Sequence, residues 1–337
     1  METPEIWPKN LLHPVKIGSG VMISGNLFLS PMAGYTDAAF RHICIEHGSD
    51  FCYTEMVSSE ALARKSFKTK KILYKAENET NYAVQIFSSS WESAVASLND
   101  IIEFKPLLID LNCGCPVPKI IKSGAGSALM KTPDKIGEIV KALTEATDIP
   151  ITVKLRSGFD SENINFMKAA QIAVKNGAAM VCLHPRTKTQ GYSGKSDWSK
   201  IKELKNSIEV PVIGSGDLFE PQDCLNMIRE TGCDGVMVAR GAVGRPQIFK
   251  EVKFLAENGF LPEISFEEKI NAAICHLDLA EKYIGSEIAV KEVKKHLCSY
   301  IKGIKGGALI RNKIVHCNLM DEYKVILKEL LSSYQYF

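Results

Sequence analysis

The sequence predicts a (β/α)8 TIM barrel followed by a small all-helical C-terminal domain. Eight short apolar runs, many of them β-branched, recur over roughly 220 residues, the length such a barrel needs. Segments with helical apolar spacing separate them, so strand alternates with helix. No glycine-rich dinucleotide fingerprint follows the first run, which argues against a doubly wound open sheet.

The elements follow in order. Val15–Ile23 (VKIGSGVMI) reads as a small hairpin plugging the bottom of the barrel. The strands are Leu27–Ser30, Phe51–Glu55, Tyr82–Phe87, Leu107–Leu111, Ile151–Leu155, Met180–His184, Val210–Gly214 and Gly235–Ala239. Such runs suit strands buried on both faces of a parallel sheet. The intervening helices are Ala38–His47, Trp91–Phe104, Pro133–Thr147, Asn163–Asn176, Trp198–Asn206 and Pro221–Thr231. Pro133 and Pro221 stand where a proline suits the first helical turn. After Gly259 the pattern changes: Ser265–Ile284, Ser286–Tyr300 and Asp321–Tyr334 read as helices and no strand-like alternation returns. This divides the chain into a catalytic barrel, residues 1–255, and a helical domain, residues 256–337.

Composition narrows the function class. At 337 residues, 45% hydrophobic and 24% charged, the chain has ample material for a large core. No stretch approaches ~18 uninterrupted apolar residues, so no membrane span is expected. Met1–Leu12, interrupted by Pro4 and Pro8, has no apolar run of signal-peptide length. The ten cysteines are scattered, and Cys52 and Cys182 sit inside strand-like runs, which reads as reduced thiols. A cytoplasmic monomer without metal is the expectation.

In a barrel, chemistry gathers where strands end. Here polar and glycine residues mark nearly every strand end: Pro31-Met32-Ala33-Gly34, Thr54-Glu55-Met56, Gln85, Asp110 to Pro116, Lys154 with Arg156, His184 to Thr187, Gly214 to Asp217, and Ala239-Arg240-Gly241. Loop punctuation explains any one of these but not charged or amide groups at nearly all. Ser215-Gly216-Asp217 and Arg240-Gly241 follow the last two strands, where barrels often bind phosphate through backbone N–H groups. Arginine adds a bidentate contact. A phosphorylated ligand is therefore expected.

Lys154 projects from an apolar strand, where a cation needs an anion. It either pairs with Asp110 or Glu55, or stands beside a ring that acquires negative charge, as a reduced flavin does. Gln85 could contact the same heterocycle. Cys113 and Cys115 form a Cys-x-Cys pair, but no second pair has ligand spacing and His184 lies alone, which argues against zinc. Gly114 and Pro116 hold Cys115 in a tight turn at the mouth. An ordinary thiol, with a pKa of about 8.5, is mostly protonated at neutral pH. Cys115 is thus a proton donor, or a nucleophile with His184 as base; the residues leave both open. Between Lys291 and Lys313 seven Lys or Arg stand against the single acid Glu292, a local net of +6 in a chain of +2. Such a patch suits a phosphate backbone. Arg64, Lys65, Lys68, Lys70 and Lys71 form a second, weaker cluster.

These motifs resemble those of the tRNA-dihydrouridine synthases, the bacterial B-type branch in particular. The matching segments are SPMAGYTDAAFR (Ser30–Arg41), TEM (Thr54–Met56), VQIF (Val84–Phe87), DLNCGCPVPK (Asp110–Lys119) and KSGAGSALM (Lys122–Met130). They continue through TVKLRSG (Thr152–Gly158), HPRTKTQGYSGKSDW (His184–Trp198), GSGD (Gly214–Asp217) and DGVMVARGAVGRPQIF (Asp234–Phe249), with Lys295-His296 and Tyr300 in the tail. The resemblance implies FMN as cofactor, NADPH or NADH as reductant and uridine in tRNA as substrate. In that family the reduced flavin delivers a hydride to C6 of uracil, and the cysteine matching Cys115 protonates C5. By motif match Pro31, Met32 and Ala33 lie near the flavin ring, which Gln85 and Lys154 contact with His184 close by. Ser215, Gly216, Asp217, Ala239 and Arg240 hold the ribityl phosphate. Asn112 and Arg156 grip uracil, and Arg186 contacts a phosphate or base. Ser88, Ser215 and Cys113 depart from the usual pattern without removing a group the mechanism requires. A flavin barrel acting on a free small molecule would not require the basic tail, and a non-catalytic RNA-binding barrel would be colourless.

Overall fold

The computed structural model describes residues 6–18 and 20–334. Part of the N-terminal stretch and Ser19 of the expected hairpin lie outside them. The strands are β1 (Val15–Ile17), β2 (Val21–Ile23), β3 (Leu27–Leu29), β4 (Phe51–Tyr53), β5 (Val57–Ser58) and β6 (Tyr82–Phe87). They continue with β7 (Leu108–Cys113), β8 (Ile151–Gly158), β9 (Met180–Thr187), β10 (Val212–Ser215) and β11 (Gly235–Val238). Neighbours from β6 to β11 pair in parallel; β11 pairs with β3, β3 with β4, and β4 with β6. Eight parallel strands therefore close on themselves and leave no edge. β5 is a short addition alongside β6.

The period of two sorts side chains onto two faces. Ile109, Leu111 and Cys113 of β7 face the helices in the main core, whereas Leu108 faces the barrel interior with Phe28, Phe51 and Met180. β1 and β2 form an antiparallel hairpin, and Val15, Ile17 and Ile23 pack into that inner cluster. The expected bottom plug is thus present. The inward positions turn polar toward the other end: on β7 they run Leu108, Asp110, Asn112, and on β8 Thr152, Lys154, Arg156.

The expected helices occur at Ala38–Glu46, Trp91–Ile101, Pro133–Ala146, Phe166–Lys175, Ser199–Lys205 and Pro221–Thr231. Two further long helices were not expected. Ile248–Asn258 runs across residue 255 and ends at Gly259 in the left-handed region, φ 77°. Gly307–His316 begins on the second of two adjacent glycines, Gly306 being its cap; of its residues only Gly307 and Ile314 are buried, so its apolar spacing is weak. The expected helix Ser286–Tyr300 divides into Ser286–Glu292 and Lys294–Tyr300.

The C-terminal helices share the barrel's core. Phe266–Ile284 lies against Ala38–Glu46, where the Phe40 ring stacks on His276 with centroids 5.5 Å apart. His296 meets Phe40 at 4.8 Å, His276 at 4.5 Å and Tyr35 at 5.2 Å. The helical segment thereby touches the loop that follows the first barrel strand.

Candidate active site at the barrel mouth

Four inward strand positions build the floor of the mouth through one line of hydrogen bonds. Thr152 Oγ1 donates to Asp110 Oδ1 at 2.5 Å, and Gln85 Nε2 donates to Asp110 Oδ2 at 2.7 Å. Asn112 Nδ2 donates to Gln85 Oε1 at 2.8 Å. Asn112 Oδ1 accepts from the N–H groups of Gly114, at 3.1 Å, and Cys115, at 2.8 Å. Burial outweighs these donors at Asp110 and lifts its pKa to about 6.

The turn carrying Cys115 is gripped from two sides. Arg156 Nε donates to the Gly114 carbonyl at 2.7 Å, and Ser127 N donates to the Cys115 carbonyl at 3.1 Å. Gly126 has φ +60°, and a Cβ there would stand 3.1 Å from Cys115 Cβ, so the packing loop needs glycine. Burial raises the Cys115 pKa; the Val117 N–H and Arg156 pull in the opposite direction without overcoming it. The group at neutral pH is the thiol. Cys113, one residue away from the turn, faces the helix layer instead, so the two cysteines do not share a site.

His184 is unsuited to the role of base. Burial, with Lys154, Arg156, Arg186 and Arg240 around it, holds its pKa down at about 2. The nucleophile reading for Cys115 loses its partner. His184 Nε2 faces Arg186 at 3.4 Å, so the ring accepts there.

Arg186 departs from the substrate-gripping role expected of it. It is 1% exposed. Nε donates to the Ser193 carbonyl; the two terminal nitrogens form a fork onto Asp217 at 2.8 and 2.6 Å and also meet His184 and the Gly194 carbonyl. All five N–H groups are engaged, leaving none for a base or phosphate. Asp217 also accepts from Ser196 N at 2.8 Å and lies 3.6 Å from an Arg240 terminal nitrogen. Its side chain organises the loop rather than facing a ligand, and its backbone sits at φ 57°. Among the described residues, one terminal nitrogen of Arg156 has no hydrogen-bond partner beyond the bonds to Gly114, Thr187 and Gly191.

The two loops after β10 and β11 offer open donors. The backbone N–H groups of Gly216, Asp217, Arg240 and Gly241 meet no acceptor among the described residues. Gly216, φ +113°, lies where a Cβ would collide with Ser196 Oγ and stand 2.7 Å from His184 Cδ2. The hydroxyl of Ser215 donates to the Met237 carbonyl at 3.0 Å, leaving its lone pairs toward the mouth. Ala239 precedes the turn Arg240–Ala242. Arg240 lies 4.3 Å from the Tyr192 ring centroid and 4.9 Å from that of Phe219. Arg156 lies 5.9 Å from the same Tyr192 ring. Tyr192 therefore spans the distance between the Cys115 turn and the Arg240 loop, which open on one end of the barrel. A sequence motif contains Tyr192, but nothing in the sequence alone marks it as a site residue.

Lys154 makes neither of the ion pairs considered for it. No hydrogen bond or ion pair joins it to Asp110, Glu55 or any other carboxylate among the described residues. Glu55 instead accepts from Gly34 N–H. Pro31, Met32 and Ala33 follow β3; Met32 N–H donates to Thr36 Oγ1 at 3.0 Å and so holds the loop.

Lys291, Lys302, Lys305 and Lys313 of the basic segment are exposed. Lys295 pairs with Glu292 and lies 5.3 Å from the Tyr35 ring centroid, at the rim of the mouth. In the second cluster Lys65 and Lys70 pair with Asp100, and Lys70 also with Glu103. No described helix is long and apolar enough to cross a membrane.

Comparison with known proteins bears on this mouth. The family model described as dihydrouridine synthase matches residues 28–335. The chain is 41% identical over 329 residues to a probable tRNA-dihydrouridine synthase of Treponema pallidum, covering 95% of this chain and 96% of the relative. It is 35% identical over 289 residues to tRNA-dihydrouridine synthase B of Vibrio vulnificus, covering 86% and 89%. Among solved structures, histamine dehydrogenase from a Rhizobium species matches with a TM-score of 0.58 at 15% identity, over 86% of this chain and 51% of that one. The chain thus spans about half the length of that dehydrogenase. TcOYE with pHBA matches with a TM-score of 0.54 at 10% identity, over 80% and 98%. These two likenesses speak to the barrel fold.

Proposed function

The chain belongs to the dihydrouridine synthase family, and from that membership we propose that it reduces the C5–C6 double bond of specific uridines in tRNA, with FMN at the barrel mouth and NADPH or NADH as reductant. It is an oxidoreductase of that family. The observation that carries the proposal is the juxtaposition of an unpaired Lys154, a protonated Cys115 and two loops of open N–H groups on one end of the barrel.

The mouth suits FMN. The N–H groups of Gly216, Asp217, Arg240 and Gly241, with the Arg240 guanidinium, are a donor set for a phosphate dianion. The missing Cβ of Gly216 allows the backbone close approach. Gln85 has one amide N–H left for a ring carbonyl, and Lys154 is the cation such a ring needs when it takes up electrons. Pro31, Met32 and Ala33 would border the ring. Bound FMN would supply the hydride that reduces C6 of uracil.

The remaining chemistry belongs to the chain. Asn112, through its second amide N–H, and Arg156, through its free nitrogen, donate to the uracil carbonyls. That contact stabilises the enolate-like charge that develops as C6 is reduced. Cys115 delivers its Sγ proton to C5. The thiolate left behind is supported by the Val117 N–H and Arg156, until solvent returns the proton. His184, neutral, offers a hydrogen bond rather than a base. A uridine reaches this mouth only when turned out of its stack. Residues 256–337, carrying the exposed lysines, form the proposed tRNA-binding part of a monomeric cytoplasmic enzyme.

The test compares tRNA from cells lacking this protein with tRNA from cells in which it is restored. Mass spectrometry should show one defined uridine gaining a hydrogen pair on restoration, and the purified protein should be yellow and release FMN. A colourless protein, or an unchanged tRNA, would overturn the proposal.

A further inference from the structure

The line of hydrogen bonds beneath the mouth has a direction, and Asp110 sets it. Two backbone N–H groups, of Gly114 and Cys115, fix Asn112 Oδ1, because a carbonyl oxygen is the end of that amide able to accept them. Asn112 Nδ2 must then face Gln85, which turns Gln85 Oε1 toward it at 2.8 Å. Gln85 Nε2 is left facing Asp110 at 2.7 Å. From the other end the assignment is the same. A carboxylate accepts and does not donate, so Gln85 must offer it nitrogen, and the remaining orientations follow. Backbone at one end and carboxylate at the other agree on both amides.

We propose that Asp110 is a positioning residue that sets the polarity of Gln85 and Asn112 and, through them, seats the Cys115 turn. Gln85 is fully buried and Asp110 is 1% exposed, so no water competes for these groups. With the polarity set, each amide keeps one N–H that the line does not use. With it reversed, each would present a carbonyl oxygen where a donor is needed, and Asn112 would release the N–H groups of Gly114 and Cys115. Thr152 completes the anchor from the adjacent strand, its hydroxyl occupying the second carboxylate oxygen.

The catalytic half of this inference rests on the proposed function of the mouth; the structural half does not. The test uses the full-length protein and two substitutions. In Asp110→Asn the new amide can turn its oxygen to Gln85 and its nitrogen to Thr152 Oγ1, which can accept. The polarity survives although the charge is gone. Asp110→Leu removes the acceptor altogether. Two readouts apply: FMN affinity by fluorescence titration, and the iodoacetamide alkylation rate of Cys115 followed across pH by peptide mass spectrometry.

Asp110→Asn should stay within a few-fold of the parent on both readouts. Asp110→Leu should bind FMN at least about tenfold more weakly, as expected when a buried donor loses its partner, and its Cys115 should alkylate several-fold faster. Equal losses in both variants would show that the charge matters and not the polarity, overturning the proposal. Parent-like behaviour of Asp110→Leu would overturn it as well. If Asp110→Leu fails to fold, Thr152→Val with Asp110→Asn takes its place: the single Asp110→Asn should behave as parent and the double variant should not. If the parent itself binds no FMN, the proposed function of the mouth fails, while the alkylation profile still decides the positioning role.

Discussion

Replacing Arg186 by lysine separates an organising arginine from a substrate-gripping one. The charge survives, so Asp217 keeps a cation, but the fork does not. Arginine places five donors on Ser193, Gly194, Asp217 and His184 at once. A lysine ammonium has three donors on one atom and satisfies at most three of these groups, leaving at least two bonds unmade at a site 1% exposed. At about 1.5 kcal/mol for each bond to a charged or buried partner, the loss is ~3 kcal/mol. For a chain this long, roughly 1.4 °C is lost per kcal/mol, so Tm should fall by ~4 °C. The apoprotein should show this in thermal unfolding followed by circular dichroism. FMN should bind more weakly too, because Asp217 and Gly216 lose their brace. An unchanged Tm and FMN affinity, together with a raised KM for tRNA, would refute this reasoning and return Arg186 to the substrate.

Three further outcomes test separate parts of the site. Cys115→Ala should retain FMN and tRNA binding while single-turnover product formation falls about 100-fold or more, the usual worth of a placed acid; unaltered turnover would remove Cys115 from its role. In the parent, activity should persist to higher pH than an ordinary thiol would allow, since burial raises the Cys115 pKa and the protonated form is the one used. Lys154→Met should weaken FMN binding by roughly tenfold, the scale of one charge-assisted bond, with little change in Tm, because Lys154 makes no hydrogen bond or ion pair among the described residues and acts on Asp110 only through its field. His276 gives a stability prediction. Burial holds its folded pKa at about 3, against 6.5 when exposed. A depressed histidine is fully stabilising above the exposed value and loses that contribution as pH falls below it. Down to pH 5 the exposed value governs, so the loss is ~2 kcal/mol. Urea unfolding at pH 7.5 and pH 5 should show His276→Phe losing about that much less than the parent; an equal loss in both would contradict the buried-neutral assignment.

What could be read from the sequence was whatever a short periodicity encodes. Polar residues at the ends of apolar runs marked Gln85, Asn112, Lys154, Arg156 and His184, and the barrel carries those strand ends to a single mouth. Partnership between side chains was not readable, because it depends on register between strands distant in sequence. Arg186 and Asp217 each read as a ligand contact, yet they bond to one another and to the loop around them. Lys154 read as a candidate for an ion pair, and the register leaves it without one. His184 read as a possible base until four cations were found around it. Gly307–His316 escaped notice because a helix lying on the surface needs little apolar spacing, and its paired glycines are a loop signal.

The exposed lysines offer the sharpest test of how tRNA is held, and the fold dictates its form. Deleting everything after Phe260 would strip His276 and His296 from Phe40, and His296 from Tyr35, leaving an apolar face of the Ala38–Glu46 helix in water. Gly244, in the loop after β11, would also lose the backbone of Ser299 and Tyr300 packed upon it. A truncated protein could therefore lose FMN and activity for reasons unrelated to RNA. Lys291, Lys302 and Lys313 are exposed, and replacing all three by glutamate leaves that packing untouched. If they meet phosphates, KM for tRNA should rise at least tenfold, and the slope of log affinity against log salt should flatten by about two to three, because each phosphate no longer neutralised keeps its counterion. FMN affinity, Tm and the rate at saturating tRNA should hold, because no atom of the mouth is disturbed. An unchanged salt slope would mean that the backbone of tRNA lies elsewhere, and that the local charge of this segment is a solvated helix face.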